Sequence, residues 1–339
     1  MSITAAAEAA QALAWQGRGR EAEEMLAALD TTTEAELLEV ALPRAANQFW
    51  MLGEPERATA YLRAVRNRIN GPAGLTVDAL LATFAMNAGA PVRALELAAE
   101  VLAAVDATDQ AVAWAASTSS LCAARVGRFA EVDTFAERAE AAGHPGLLRY
   151  TIGLARITTA TMTGDLDRAE AVARDLTSDA PPGAAIGSVL LAWVLMRRGE
   201  DSAAAELLAP AAPILERTGY SWGPLSLTLL ATALARSGAP ADAAKALSRA
   251  ESRHGTKSAL FAPELGLARA WRSAAAADSS GAIAAARQAA QTAERSGQLS
   301  IAVLAWREAA ELGDGRAEAA LQRLAPLLWS DGHQTQSPG

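Results

Sequence analysis

Seven glycines, Gly17, Gly53, Gly89, Gly127, Gly164, Gly199 and Gly238, stand 35 to 39 residues apart along the chain. Each is followed five residues later by a small apolar residue: Ala22, Ala58, Ala94, Val132, Ala169, Ala204 and Ala243. A period of that length belongs to stacked helix pairs, where one unit cannot bury its own apolar face and must lean on the next. The chain is therefore read as all-α, a hairpin solenoid of about nine helix pairs. Such folds present a long surface to something else, so the pattern argues for recognition rather than catalysis.

The pattern can be followed residue by residue. If the residue five after each glycine is position zero and Ala282 begins an eighth copy, positions zero, +3, +4 and +7 share one helix face. All 32 residues there are apolar against a background of 51%, for example Ala22, Met25, Leu26 and Leu29, or Ala204, Leu207, Leu208 and Ala211. Charges gather at the offsets between, as with Glu23 and Glu24, Glu137 and Arg138, or Arg174 and Asp175. The second helix of each pair is thus expected to be amphipathic, with one buried stripe. Alanine in that stripe allows close helix approach, and the eight tryptophans, from Trp15 to Trp329, are expected to supply large core pieces.

Helix breakers place the pairs at about 3–29, 33–70, 74–105, 108–142, 146–178, 183–217, 222–253, 258–296 and 298–329. In the eighth pair Ala277-Asp278-Ser279-Ser280 replaces the glycine turn, and Pro210 and Pro213 are expected to interrupt and kink the second helix of the sixth. One superhelical domain over residues 1–329 and a disordered polar tail over 330–339 are expected.

Composition removes several function classes. A net charge of -8 and pI near 5.1 do not suit binding to a phosphate backbone, so no direct nucleic-acid contact is expected. Cys122 is the one cysteine, set among apolar neighbours and read as a small buried hydrophobe. The longest uncharged stretch, 218–235, carries Gly219, Gly223 and Pro224, so no membrane span is expected and the chain is read as soluble and cytoplasmic. His144, His254 and His333 lack ligand spacing, so neither a metal nor a cofactor is expected. Gly17-Arg18-Gly19-Arg20-Glu21-Ala22 has the letters of a dinucleotide fingerprint, but a helical pattern precedes it where that motif needs a strand. Gly255-Thr256-Lys257-Ser258 lacks the glycines of a phosphate loop and reads as a seam between pairs. No catalytic constellation appears, and no enzyme activity is expected.

The first helix of each pair carries the candidate binding residues. Asn47, Gln48 and Trp50, then Trp114, Ser117 and Thr118, are polar or aromatic beyond what packing requires. Arg149 and Arg156 lie seven apart, two turns on one face, with Tyr150 beside them, and Trp193 and Trp222 follow. Together they are candidates for a concave groove that takes an acidic or peptide-like ligand; the plainer reading makes the tryptophans core and the arginines solvated.

The step from turn glycine to small residue, with apolar positions four and seven further on, resembles the second helix of the tetratricopeptide repeat. Pro181 falls at that repeat's terminal proline, and Ala46, Ala82, Ala192 and Ala231 take its small packing position in first helices. The resemblance implies a right-handed superhelix. Leu260-Phe261-Ala262-Pro263-Glu264-Leu265-Gly266-Leu267-Ala268-Arg269-Ala270-Trp271, followed by Ala284-Ala285-Ala286-Arg287 and Ala305-Trp306-Arg307-Glu308, is similar to the helical-repeat region of large LuxR-type, MalT-like regulators of actinobacteria. That likeness implies the central sensor superhelix of such a regulator, binding an inducer or a partner protein and able to self-associate. The alternative is a free-standing scaffold for a protein segment, unrelated to transcription.

Overall fold

The computed structural model describes residues 2–143, 146–178 and 182–329. Among the described residues all regular structure is helical, and the α-helices follow one another as nine hairpins. These are α1 (Ile3–Trp15) with α2 (Gly19–Ala27), α3 (Glu34–Ala46) with α4 (Pro55–Arg66), α5 (Ala73–Asn87) with α6 (Pro91–Ala103), and α7 (Asp109–Val126) with α8 (Val132–Ala141). Then come α9 (Leu148–Thr163) with α10 (Leu166–Asp175), α11 (Gly183–Arg197) with α12 (Asp201–Glu216), α13 (Trp222–Arg236) with α14 (Pro240–Arg253), α15 (Ala262–Ala275) with α16 (Ser279–Arg295), and α17 (Leu299–Glu311) with α18 (Ala317–Trp329). Pro210 and Pro213 lie inside α12 without ending it. The expected disordered tail, with His333, lies outside the described residues, as do His144 and Pro181.

Local chemistry explains the turns. All seven period-marking glycines have positive φ, from +68° at Gly53 to +95° at Gly127, a region costly for any residue with a Cβ. The next residue then donates its amide to the carbonyl five back, as Ala90 does to Ala85, Arg128 to Ala123 and Glu200 to Leu195, which satisfies the last carbonyls of the first helix. The second hairpin is one residue wider. Its first helix ends in a π turn, Asn47–Met51, so Glu54 donates to Gln48, six back. In the eighth hairpin Ala277 occupies the same left-handed position at φ 60°, and Asp278 completes the motif to Ser273. Proline opens α4, α6 and α14, where its missing N–H is harmless, and Thr33, Thr108, Asp165 and Asp278 cap α3, α7, α10 and α16.

The second-helix stripe is the core of each hairpin. Positions zero and +4 are buried in every copy, from Ala22 and Leu26 to Ala282 and Ala286. Position +3 marks the border of the stripe: Met25, Tyr61, Leu97, Phe135, Val172 and Leu207 are half-buried.

The array curls until its early turns meet its later seams. Lys257 Nζ donates to the carbonyls of Trp50 (2.6 Å) and Gly219 (2.7 Å), and the Trp50 ring lies 5.4 Å from that of Tyr220. Ser221 Oγ donates to Asn87 Oδ1 at 2.8 Å. Arg125, fully buried at the end of α7, donates to the Leu260 carbonyl (2.8 Å) and to Gln298 Oε1, and pairs with Glu264 at 2.9 Å. Ser300 Oγ shares its proton between the carbonyls of Ala124 and Arg125. Apart from Lys257 and Gly219, which belong to adjacent repeats, these partners lie 134 to 207 residues apart, four to six repeat lengths, so the contacts join one gyre of the superhelix to the next.

Candidate functional site

A hollow of about 900 Å³ opens on the seam edge between the fourth, fifth and sixth hairpins. Its floor is the first two turns of α9. A helix there places Arg149, Ile152 with Gly153, and Arg156 on one face by the three-to-four spacing, and all of them line the hollow together with Tyr150. Glu140 near the end of α8, Val172, Asp175 and Leu176 from the end of the fifth hairpin, and Gly183 at the start of α11 complete the walls. Gly153 is needed where it stands, since a Cβ would lie 2.3 Å from Leu176 Cδ1.

Electrostatics fix the arginines in place. Arg156 donates Nε to Asp133 Oδ1 at 3.1 Å and Nη1 to Glu140 Oε1 at 2.6 Å. Partial burial works against the Arg156 charge, but these two hydrogen bonds outweigh it and hold the guanidinium's pKa above its ordinary value. Partial burial likewise works to raise the Asp133 carboxyl, and hydrogen bonds from Arg168 and Arg156 reverse it to below the usual range. The Arg149 guanidinium lies 5.6 Å from the centre of the Tyr150 ring, within cation–π reach, and that ring is 2% exposed. The hollow therefore joins fixed charges of both signs to an apolar floor of Ile152, Val172 and Leu176. That is a surface for binding polar and apolar groups together.

Of the candidates read from sequence, Arg149, Tyr150 and Arg156 come together in this hollow. The others lie elsewhere. Asn47 and Gln48 are buried and turned to earlier residues: Asn47 Nδ2 donates to the Gly19 carbonyl and Gln48 Nε2 to Glu23 Oε1, both at 2.8 Å. Glu23 also gathers Arg44 and Arg57, each at 3.0 Å. Thr118 is buried against Thr83 with their hydroxyls 2.9 Å apart, Ser117 is buried beside it, and Trp114 packs half-buried between neighbouring hairpins. Trp222 is half-buried against the central core, and Trp193, 5% exposed, lines a small cavity among α11, α13, α15 and α17.

Sequence reasoning missed the inter-gyre residues Arg125, Lys257, Gln298 and Ser300. One signal was present: arginine stands two before the turn glycine at Arg125, Arg197 and Arg236, a place that ends an apolar first helix. Gly17 takes φ +78° in a helix–helix turn, and Lys257 holds a seam, so neither phosphate-like motif forms a nucleotide cradle. Among the described residues no group of three His, Cys, Asp or Glu side chains is placed to hold a metal, and no helix is long and apolar enough to cross a membrane. Cys122 is fully buried, and burial pushes its thiol far above the ordinary range.

No known protein family and no curated protein matches the sequence. Among solved structures the chain is similar to a Rap protein complexed with competence and sporulation factor, with a TM-score of 0.65 over 97% of this chain and 99% of that one, at 11% identity. A tetratricopeptide repeat protein from Parabacteroides merdae ATCC 43184 is a weaker likeness, at TM-score 0.41 and 12% identity over 86% and 99% of the two chains. The fold is a tetratricopeptide-like superhelix. At 11% identity the Rap likeness speaks for architecture, and the site is argued from this chain's own residues.

Proposed function

We propose that the protein is a non-enzymatic recognition superhelix that holds a peptide or protein segment in the edge hollow on α9. One observation carries the reading: Arg149, Arg156 and Tyr150 meet the apolar floor of Ile152, Val172 and Leu176 in about 900 Å³, a volume within the range of ligand sites. An acidic group on the segment would meet the guanidinium groups, and an apolar side chain beside it would fill the floor, so the two signals are read together. The solved Rap protein, which shares the architecture, is complexed with a factor of its own.

The test is selection of short random peptides on the intact chain, followed by binding of the selected peptides to the Arg149→Ala/Arg156→Ala double variant. Loss of affinity of about tenfold or more is expected, since hydrogen bonds to charged groups contribute about 1.5–3 kcal/mol each. Equal binding by both proteins removes the edge site.

The finer reading, a LuxR-type sensor superhelix whose occupancy is relayed to ATPase and DNA-binding modules, is supported by the stretch from Leu260 to Trp271 and its continuation to Glu308. It predicts that the purified chain binds an inducer or those modules in calorimetry. Binding of neither returns the protein to the free-standing scaffold.

A further inference from the structure

Residues of α11, α13, α15 and α17 line a cavity of about 30 Å³. Most of its wall is apolar, from Met196, Leu229, Leu267, Ile301 and Leu304. Five polar residues break that wall: Thr232, Glu264 and Glu308, whose side chains are held by Thr228, Arg125 and Arg197, and two with an unanswered donor. Trp193 and Arg197, four apart on one face of α11, both line the cavity, and Trp193 Nε1 and Arg197 Nε are buried with no hydrogen-bond partner. Neighbouring tryptophans show how unusual this is: Trp271 Nε1 donates to Glu308 Oε2 and Trp306 Nε1 to Glu294 Oε1, each at 2.7 Å. Buried indole N–H groups normally find an acceptor.

The charges around the cavity are balanced within the protein. Glu308 pairs with Arg197 at 2.6 Å, Glu264 with Arg125 at 2.9 Å, and Arg236 with Asp201 at 3.0 Å. An anion placed here would be a buried net charge, which is strongly unfavourable, whereas a neutral oxygen can accept from both donors without one. One water needs about 10–15 Å³ by this measure, so the space suits a group of a few heavy atoms.

We propose that this cavity is a second binding site, separate from the edge hollow, for a compact uncharged ligand group with one carbonyl-type oxygen. The oxygen accepts from Trp193 Nε1 and Arg197 Nε, and the apolar remainder packs on Leu229, Leu267 and Leu304. Acetone, acetate and isobutene have nearly one shape, but acetate adds a charge and isobutene lacks the accepting oxygen, so they are the probes. With the full chain labelled with ¹⁵N-tryptophan, the indole resonance of Trp193 is followed during titration with each. Acetone is expected to move the Trp193 signal saturably, with acetate and isobutene weaker. Trp193→Phe, which keeps a ring and removes the donor, is expected to weaken acetone about fivefold, the contribution of one net hydrogen bond. Isobutene binding as well as acetone would overturn the role of the donors, and tighter acetate would overturn the neutral class. A Trp193 signal unmoved by all three would mean that water alone answers the donors, and the site would fall. None of these outcomes bears on the edge hollow, which Trp193 does not line.

Discussion

The turns of the fourth and sixth hairpins begin from the same local sequence logic, and their glycines end in opposite environments. Gly127 and Gly199 have φ +95° and +79°, and each is preceded two residues earlier by arginine, Arg125 and Arg197. At the fourth hairpin the next gyre lies on the turn. Arg125 is 0% exposed, and a Cβ on Gly127 would sit 2.4 Å from Leu328 Cδ2. At the sixth, a Cβ on Gly199 would meet nothing within 4 Å. Gly164 and Gly238 are equally open, whereas Gly17 and Gly89 face Arg217 and Ala259. A repeat's turn becomes core or surface according to its place along the superhelix.

The largest effect expected from this contrast is at the buried arginine. Arg125→Ala strands the Glu264 carboxylate among buried groups and should cost about 3–5 kcal/mol in urea unfolding. Arg198→Ala, which removes a surface pair to Asp167 and Glu170, should cost less than about 1 kcal/mol. Similar losses at both sites would erase the distinction between covered and open turns. Next come the glycines themselves. Gly199→Ala carries only the left-handed strain of about 1–2 kcal/mol, while Gly127→Ala adds the collision with Leu328, for a total of about 2–5 kcal/mol.

Lys257 sharpens the comparison by pH. Burial, aided by the charge of Arg253, pulls its ammonium down to about 8 in the folded chain, against 10.5 in the reference state. Between those values the unfolded chain holds the proton and the folded chain does not. Stability should therefore rise with pH from about 8 toward 10, by at most about 1.4 kcal/mol per unit. Urea midpoints at pH 7.5 and 9.5 measure this, and Lys257→Met should abolish the rise; a rise that persists assigns it to another group. The smallest effect is a gain. Ala277, left-handed without being glycine, should tolerate Ala277→Gly with a stabilisation of about 0.5–1 kcal/mol in the same assay.

What could be read in advance follows from how local each interaction is. The turn glycines and the zero and +4 stripe are set by neighbours within one hairpin, so period and apolarity placed the helix pairs and their buried face. Ala277 shows that the turn is imposed by the hairpin and not by glycine alone. Arg149, Tyr150 and Arg156 were legible as a cluster because one helix face brings them together. Two of their walls, Glu140 and Gly183, come from the two flanking hairpins and carry no mark of it in the sequence. Asn47 and Gln48 looked like groove residues, yet they answer Gly19 and Glu23, 28 and 25 residues back, at a π turn that no pattern announced. The inter-gyre contacts were the least visible, because nothing near Arg125 indicates that Gln298 will accept from it.

The reach of Arg125 also bears on how the chain is made. Its carboxylate partner Glu264 leaves the ribosome 139 residues after Arg125, which at about 5–20 residues per second is roughly seven to twenty-eight seconds later, and Gln298 follows. Through that interval the first four hairpins hold a cation with no carboxylate to meet it. Nascent hairpins of this protein should therefore gather step by step, and lock as one body only when the final pair is delivered.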